Sequence, residues 1–184
     1  MKNYEIRLSG SGGQGLILAS IILARAAVID KRHVTQTQSY GPESRGGSSR
    51  ADVIISDREI YFPEAMNFNC LLALTQEACD KYLFDLRDNG ILIVDTTFVK
   101  NIALAADNTY ELPFTDIAIE RLGSAISTNI LALGFLVRLT KVVKEESLEI
   151  SLRQSVKPAF IDLNLKALQI GYDLADQCTS GSKK

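Results

Sequence analysis

A glycine turn set between a strand and a helix constrains this chain more than any other feature. Tyr4, Ile6 and Leu8 alternate with polar neighbours, Gly10-Ser11-Gly12-Gly13-Gln14-Gly15 follows, and an apolar segment from Leu16 to Asp30 comes next. The alternation predicts a strand, and the spacing of Ile17, Ile21, Ala24 and Val28 predicts a helix with those residues on one face. Small residues at Ala19, Ser20, Ala26 and Ala27 would let that helix pack closely on a sheet. A chain that opens strand, tight turn, helix is committed early to an α/β layer architecture.

The rest of the chain keeps the alternation. A short strand through His33 to Gln36 leads into a polar loop, Thr37 to Arg50, rich in glycine and hydroxyl groups. Ala51 to Ser56 and Ile60 to Phe62 bracket Asp57-Arg58-Glu59 and predict a β-hairpin that Pro63 stops. Cys70 to Leu74 reads as a buried strand, with Thr75 placed to cap the next helix and Asn89-Gly90 to end it. Apolar strands follow at Ile91 to Val94 and, more weakly, at Tyr110 to Leu112. The last third is helical: Ser124 to Val143 with a core stripe of Ile126, Ile130, Leu133 and Val137, then Ser147 to Gln154, then Pro158 to Asp176. Gly134 inside the first of these costs about 1 kcal/mol relative to Ala unless another backbone packs against it. The expected fold is a single α/β, Rossmann-like domain over residues 1–176, with a mainly parallel sheet flanked by helices and a polar tail at 177–184.

Composition narrows the chemistry. At 184 residues the chain suits one core, and a formal net charge of -2 lacks the basic excess of a nucleic-acid binder. His33 is the only histidine, and it reads as an ordinary, partly buried strand residue rather than a general base. Cys70, Cys79 and Cys178 show no CxxC spacing and do not supply the usual four thiolates of an iron–sulfur cluster, so electron transfer is expected in other chains. Cys70 and Cys79 read as core residues. The longest apolar or small stretch, Leu16 to Ala24, is far short of a membrane span, and the absence of an export signal predicts a cytoplasmic protein.

Gly10, Gly12 and Gly15 satisfy G-x-G-x-x-G in the strand-to-helix context that offers amides and a positive helix end to an anion. A dinucleotide site also needs an acid at the end of the second strand, where this chain has Thr35-Gln36-Thr37-Gln38, so NAD is disfavoured. The plain alternative is a tight turn that packs the first helix on the sheet. The polar loop adds Tyr40, Arg45 and a Gly46-Gly47 pair, and is expected beside the glycine turn at one sheet edge, making an electropositive crevice for an acidic ligand or partner surface. Thr128 and Asn129 open a long helix, where they can bond a ligand, a loop or their own backbone.

Two segments together carry a family likeness. Arg7-Leu8-Ser9-Gly10-Ser11-Gly12-Gly13-Gln14-Gly15 and Gln36-Thr37-Gln38-Ser39-Tyr40-Gly41-Pro42-Glu43-Ser44-Arg45-Gly46-Gly47 resemble the gamma subunit of 2-oxoacid:ferredoxin oxidoreductases, the 2-oxoglutarate type most of all. Ser56-Asp57, Leu71-Leu72-Ala73-Leu74-Thr75-Gln76-Glu77 and Asn129 with Leu133-Gly134 extend the likeness over residues 4–175. The resemblance implies a complex that decarboxylates a 2-oxoacid on thiamine diphosphate with Mg, passes electrons through iron–sulfur clusters to ferredoxin, and releases an acyl-CoA. It implies a thiamine site between alpha and beta subunits, clusters in a ferredoxin-like delta subunit, and a non-catalytic gamma chain for assembly and CoA handling. The expected CoA-binding residues are then Gly10, Ser11, Gly12, Gly13, Gln14, Gly15, Arg45 and Asn129. The expected interface residues are Gln38, Ser39, Tyr40, Gly46, Gly47 and Ser48, with no metal ligand in the chain. The alternatives are a pyruvate, ketoisovalerate or indolepyruvate oxidoreductase subunit, a purely architectural subunit, or a stand-alone nucleotide-binding module.

Overall fold

The computed structural model of the chain describes residues 3–39, 48–104 and 108–181. The elements run β1 Tyr4–Ser11, α1 Leu16–Ile29, β2 His33–Ser39, β3 Ser48–Ser56, β4 Phe68–Ala73, α2 Gln76–Tyr82, β5 Leu86–Asp95 and β6 Asn108–Leu112. Four helices close the chain: α3 Phe114–Leu122, α4 Thr128–Thr140, α5 Glu145–Ser155 and α6 Ile161–Gly181. The six strands form one sheet in the order β2-β3-β1-β4-β5-β6. β1, β4, β5 and β6 are mutually parallel, while β3 runs antiparallel to both β1 and β2. The sheet is therefore mixed, parallel on one side and antiparallel on the other.

The hairpin lies elsewhere than the sequence suggests. β2 and β3 pair from His33↔Ser56 to Ser39↔Arg50, while Ile60 to Phe62 is not a strand at all. Tyr61 and Phe62 are exposed, so the aromatic signal there marks surface and not a buried face. β3 enters the sheet between β2 and β1, antiparallel to both.

β1 shows how the two faces differ. Ile6 and Leu8 are buried in the larger core, which α1, α3, α4, α5 and α6 build on the front face. On the back face Arg7, 2% exposed, forms a bidentate pair with Asp52, with Nε and one terminal nitrogen each 2.7 Å from a carboxylate oxygen. Its guanidinium sits 3.9 Å from the centre of the Phe68 ring and 4.6 Å from that of Tyr82. The planar, delocalised cation suits both the fork and the stacking. Beside it, α2 covers Leu71, Ala73, Leu92 and Val94 in a smaller core.

Several local expectations shift. In α1 the buried residues are Leu16, Ala19, Ser20, Ile22, Leu23, Ala26 and Ala27, while Val28 is exposed. An almost wholly apolar helix has no clear stripe, and its small residues decide which side approaches the sheet. Thr75 caps α2 as expected, accepting from the Ala78 N–H at 3.3 Å, but α2 ends at Tyr82 and Asn89-Gly90 lies within β5. The segment expected as one helix from Ser124 is a 3₁₀ turn at Ala125–Ser127 followed by α4, which leaves Ile126 67% exposed and outside the core stripe. His33 is exposed. Pro158 opens a 3₁₀ turn, and α6 then runs past Asp176 to Gly181.

Gly134 and Gly171 explain the closeness of α4 and α6. A Cβ added at Gly134 would lie 2.6 Å from the Leu168 carbonyl oxygen, and one at Gly171 2.2 Å from that of Leu131. The two helix backbones touch at these positions, so the loss of helix propensity at Gly134 is offset by the close packing it permits.

Candidate functional site

β1 and β4 are adjacent parallel strands whose following helices leave in opposite directions. The helix after β1, α1, goes to the front face over β2 and β3, and the helix after β4, α2, goes to the back. In α/β sheets a crevice commonly opens at such a switch point, because neither connection covers the strand ends. Its floor is tied by the Leu74 N–H, which donates to the Ser9 carbonyl at 2.9 Å.

The glycine turn forms one wall. The Gln14 side chain folds back, its Oε1 accepting from the Ser11 N–H at 2.8 Å, so both groups are spent on the turn itself. Gly15 is the N-cap of α1 with φ 70° and ψ 21°, a left-handed conformation that favours glycine. The Asn129 Nδ2 donates to the Gly15 carbonyl at 2.8 Å and anchors the turn to the start of α4. A Cβ at Gly15 would come 2.5 Å from that nitrogen, which excludes a side chain twice over. At Gly12 and Gly13 nothing lies within 4 Å of an added Cβ, so this rim of the turn is open. α1 has no side-chain cap and no acid in its first turn, so no side chain there takes up its first amides or balances its positive end.

The register places the second loop beside the first. Ser11 pairs with Ser48, Gly10 with Ser49, and Ser39 with Arg50, so both ends of the β2–β3 connection lie at the edge that carries the glycine turn. Gln38 is exposed and Ser39 half-buried at that edge. Tyr40, Arg45, Gly46 and Gly47 lie outside the described residues, as does the side chain of Ser48. The structure thus unites Gly10, Ser11, Gly12, Gly13, Gln14, Gly15 and Asn129 in one wall and sets Ser39 and Ser48 next to it.

Sequence reasoning passed over Ser127. It is 1% exposed and its Oγ has no hydrogen-bond partner, and the same holds for the Oδ1 of Asn129, 4% exposed. The available signal was a polar triplet, Ser127-Thr128-Asn129, between Ile126 and the apolar run from Ile130 to Val137. Thr128 is a backbone-bonding residue, its Oγ1 donating to the Ala125 carbonyl at 2.8 Å.

Other chemistries find no support in the geometry. β3 stands between β1 and β2, so the end of β2 is one strand too far from the glycine turn to serve a dinucleotide ribose. Asp95, at the end of β5, is fully buried and accepts from the Thr97 N–H and from the Thr115 N–H and hydroxyl. Cys70 and Cys79 are buried on opposite faces of the sheet. Burial pushes the Cys70 thiol up, and burial with the nearby Asp80 pushes Cys79 up to about 11, so neither is a thiolate near neutral pH. Among the described residues no three His, Cys, Asp or Glu side chains gather as metal ligands, and no helix is long and apolar enough to cross a membrane.

Fold and turn geometry define a class: an α/β chain with a glycine turn and an uncapped helix start at a topological switch point, and no clustered metal ligands among its described residues. The pyruvate ferredoxin/flavodoxin oxidoreductase family model matches residues 5–174, and the chain belongs to that family. It is 46% identical over 176 residues to the 2-oxoglutarate synthase subunit KorC of Methanocaldococcus jannaschii, covering 94% of each chain. The crystal structure of the keto/oxoacid ferredoxin oxidoreductase gamma subunit from Geobacter sulfurreducens matches with a TM-score of 0.87 at 45% identity, over 95% of this chain and 97% of that one. The fold also recurs, at 23% identity and a TM-score of 0.85, in the 2-oxoglutarate:ferredoxin oxidoreductase of Magnetococcus marinus, whose structure holds 2-oxoglutarate, coenzyme A and succinyl-CoA. There 96% of this chain matches 32% of the longer chain. These likenesses support a gamma-type component of a 2-oxoacid:ferredoxin oxidoreductase over the stand-alone module.

Proposed function

We propose that this chain is the gamma component of a 2-oxoglutarate:ferredoxin oxidoreductase and that its glycine crevice holds the anionic part of CoA for the assembled enzyme. The overall reaction converts 2-oxoglutarate, CoA and oxidised ferredoxin to succinyl-CoA, CO₂ and reduced ferredoxin. Thiamine diphosphate with Mg, and the iron–sulfur clusters, are assigned to alpha, beta and ferredoxin-like delta partners. The observation that carries the reading is the open rim at Gly12 and Gly13 in front of an uncapped helix end.

The chain's own part is positioning. Amides of Gly12, Gly13 and the first turn of α1 donate to phosphate oxygens, and Asn129 keeps Gly15 in place so that those amides stay aimed. Arg45 adds positive charge from the neighbouring loop, and Gln38, Ser39, Tyr40, Gly46, Gly47 and Ser48 form the surface against partner chains. In this reading the chain raises the local concentration of CoA and fixes its direction of approach, and the reacting groups belong to the partner chains.

Gly12→Asp tests this without disturbing the fold, because a side chain there meets nothing within 4 Å. In the complex assembled with its partner subunits and assayed by 2-oxoglutarate-dependent viologen reduction, the variant should raise the KM for CoA tenfold or more. The KM for 2-oxoglutarate should not move. A variant that assembles and keeps its CoA KM refutes the crevice as the anion site. Viologen reduction driven by another 2-oxoacid, with none by 2-oxoglutarate, refutes the substrate.

A further inference from the structure

The stripe that sequence spacing places on one face of α1, Ile17, Ile21, Ala24 and Val28, is not turned to the core. Ile17, Ile21 and Ala24 are half-buried and Val28 is 58% exposed, and of the four only Ala24 packs against a core. Side-chain contacts fix where the stripe points. Gln36 of β2 donates to the Ser20 Oγ at 3.1 Å, so β2 lies on the Ser20 side of α1. Arg25 donates to the Ser155 Oγ at 3.0 Å and the Ile22 carbonyl accepts from Ser151, so α5 lies on another side. At about 100° per residue the stripe falls beyond Ser20, away from α5. It overhangs one edge of the sheet.

That edge is β2, and it is open. β2 pairs with β3 along its whole length without a bulge, and no other strand of the described residues bonds to its far side. Its sequence, His33 to Ser39, has no Lys, Pro or acidic residue. It thus lacks every device that normally blocks further pairing at an edge. β6, at the opposite edge, is shorter and carries an exposed Glu111.

We propose that β2 and the α1 stripe form a two-fold interface with a second copy of this chain, the two β2 strands pairing antiparallel about Gln36 and joining the two sheets into one. The strand suits a copy of itself. Centred on Gln36, Thr35 meets Thr37 in two off-axis pairs, Val34 meets Gln38, His33 meets Ser39, and no like charges are opposed. The stripe has the same symmetry, with Ile21 opposite the small Ala24 and Ile17 opposite Val28 in an antiparallel helix pair. Spacing agrees as well. α1 lies over β2 and β3, and strands about 4.8 Å apart then bring the two copies of α1 to about 10 Å, the distance of packed helices. The contact is isologous and closes on itself, and the stripe gives it the apolar centre of a homodimer interface. Gln38 and Ser39 lie at the end of this edge, so the copy is one of the chains they meet.

Sedimentation equilibrium of the purified chain tests the interface. The parent should dimerise at micromolar concentration. Thr35→Lys with Thr37→Lys sets lysine against lysine in both off-axis pairs and should raise the dimer dissociation constant at least tenfold. Thr35→Lys with Thr37→Glu sets lysine against glutamate in both and should bring it back close to the parent's. Ile21→Lys, on the half-buried stripe, should weaken the dimer at least tenfold and provides the test if the strand variants do not fold. The melting temperature of the parent should rise with protein concentration, and that of Ile21→Lys should not. A parent chain that stays monomeric overturns the proposal, as do two strand variants that fold and associate alike. If the parent never self-associates and Ile21→Lys blocks assembly with the other subunits, the face belongs to a different partner and the second copy is refuted.

Discussion

Substituting Gly171 by alanine should destabilise the chain, although alanine is the better helix former. The added Cβ would lie 2.2 Å from the Leu131 carbonyl oxygen and 2.7 Å from the Phe135 nitrogen, both backbone atoms of α4. Neither can rotate away, so α4 and α6 must separate by about 1 Å to restore ordinary contact near 3.4 Å. A gap of that size forfeits a quarter to a half of each dispersion contact along the interface. Overpacking of this kind costs about 1–3 kcal/mol, and rigid backbone on both sides places this case at the upper end. Helix propensity returns about 1 kcal/mol, leaving a net loss of about 2 kcal/mol. For a chain of this length that is a fall in Tm of about 4–8 °C. Urea unfolding of the purified chain followed by far-ultraviolet circular dichroism measures it, with Gly12→Ala, which meets nothing within 4 Å, as the matched control. Gly134→Ala should lose a similar amount, and the double variant less than the sum, because both press on the same interface. A Gly171→Ala chain as stable as the parent, or more so, refutes the claim that the two helix backbones are in contact.

Other parts of the structure give shorter tests. Arg7→Met leaves the buried Asp52 carboxylate without its fork and should cost about 3–5 kcal/mol in the same denaturation experiment, most of it recovered in Arg7→Met with Asp52→Leu. With a thiol reagent at mildly alkaline pH, half-buried Cys178 should react before Cys70 and Cys79, which should wait for denaturant; all three thiols are raised by burial. Asp176, held below its ordinary value of 3.8 by hydrogen bonds from Arg138, contributes stability that is present above that pH and lost as pH falls through its lower folded value. Asp176→Asn should therefore flatten the acid limb of the stability curve below 3.8, which a pH series of melting temperatures reads directly.

The reach of each interaction along the chain decides whether the sequence reveals it. The glycine turn, the Thr75 cap and the role of Pro158 were legible because each is set by a few adjacent residues. The partner of β3 was not. Ala51 to Ser56 has strand chemistry, but whether it pairs with Ile60 to Phe62 or with β2 and β1 depends on long-range register. The fate of Ile126 was hidden for a related reason: its spacing continues the α4 stripe, yet a 3₁₀ turn ahead of Thr128 rotates it to the surface. Arg7 sits between Ile6 and Leu8 as any outward strand residue would, and only the fold reveals Asp52 opposite it and the Phe68 and Tyr82 rings against it.

The placement of β3 also bears on what kind of ligand the crevice can take. In a dinucleotide fold the second strand lies directly beside the first, and its terminal acid reaches the ribose of a ligand that extends along the sheet edge. Here an antiparallel strand fills that place. A ligand whose phosphates rest on α1 is turned away from β2 and toward α4, where Asn129 bridges to Gly15. The same insertion leaves the start of α4, tied to Gly15 through Asn129, as polar surface next to the glycine turn. That is where Ser127 and Asn129 each carry a buried side-chain oxygen without a hydrogen-bond partner.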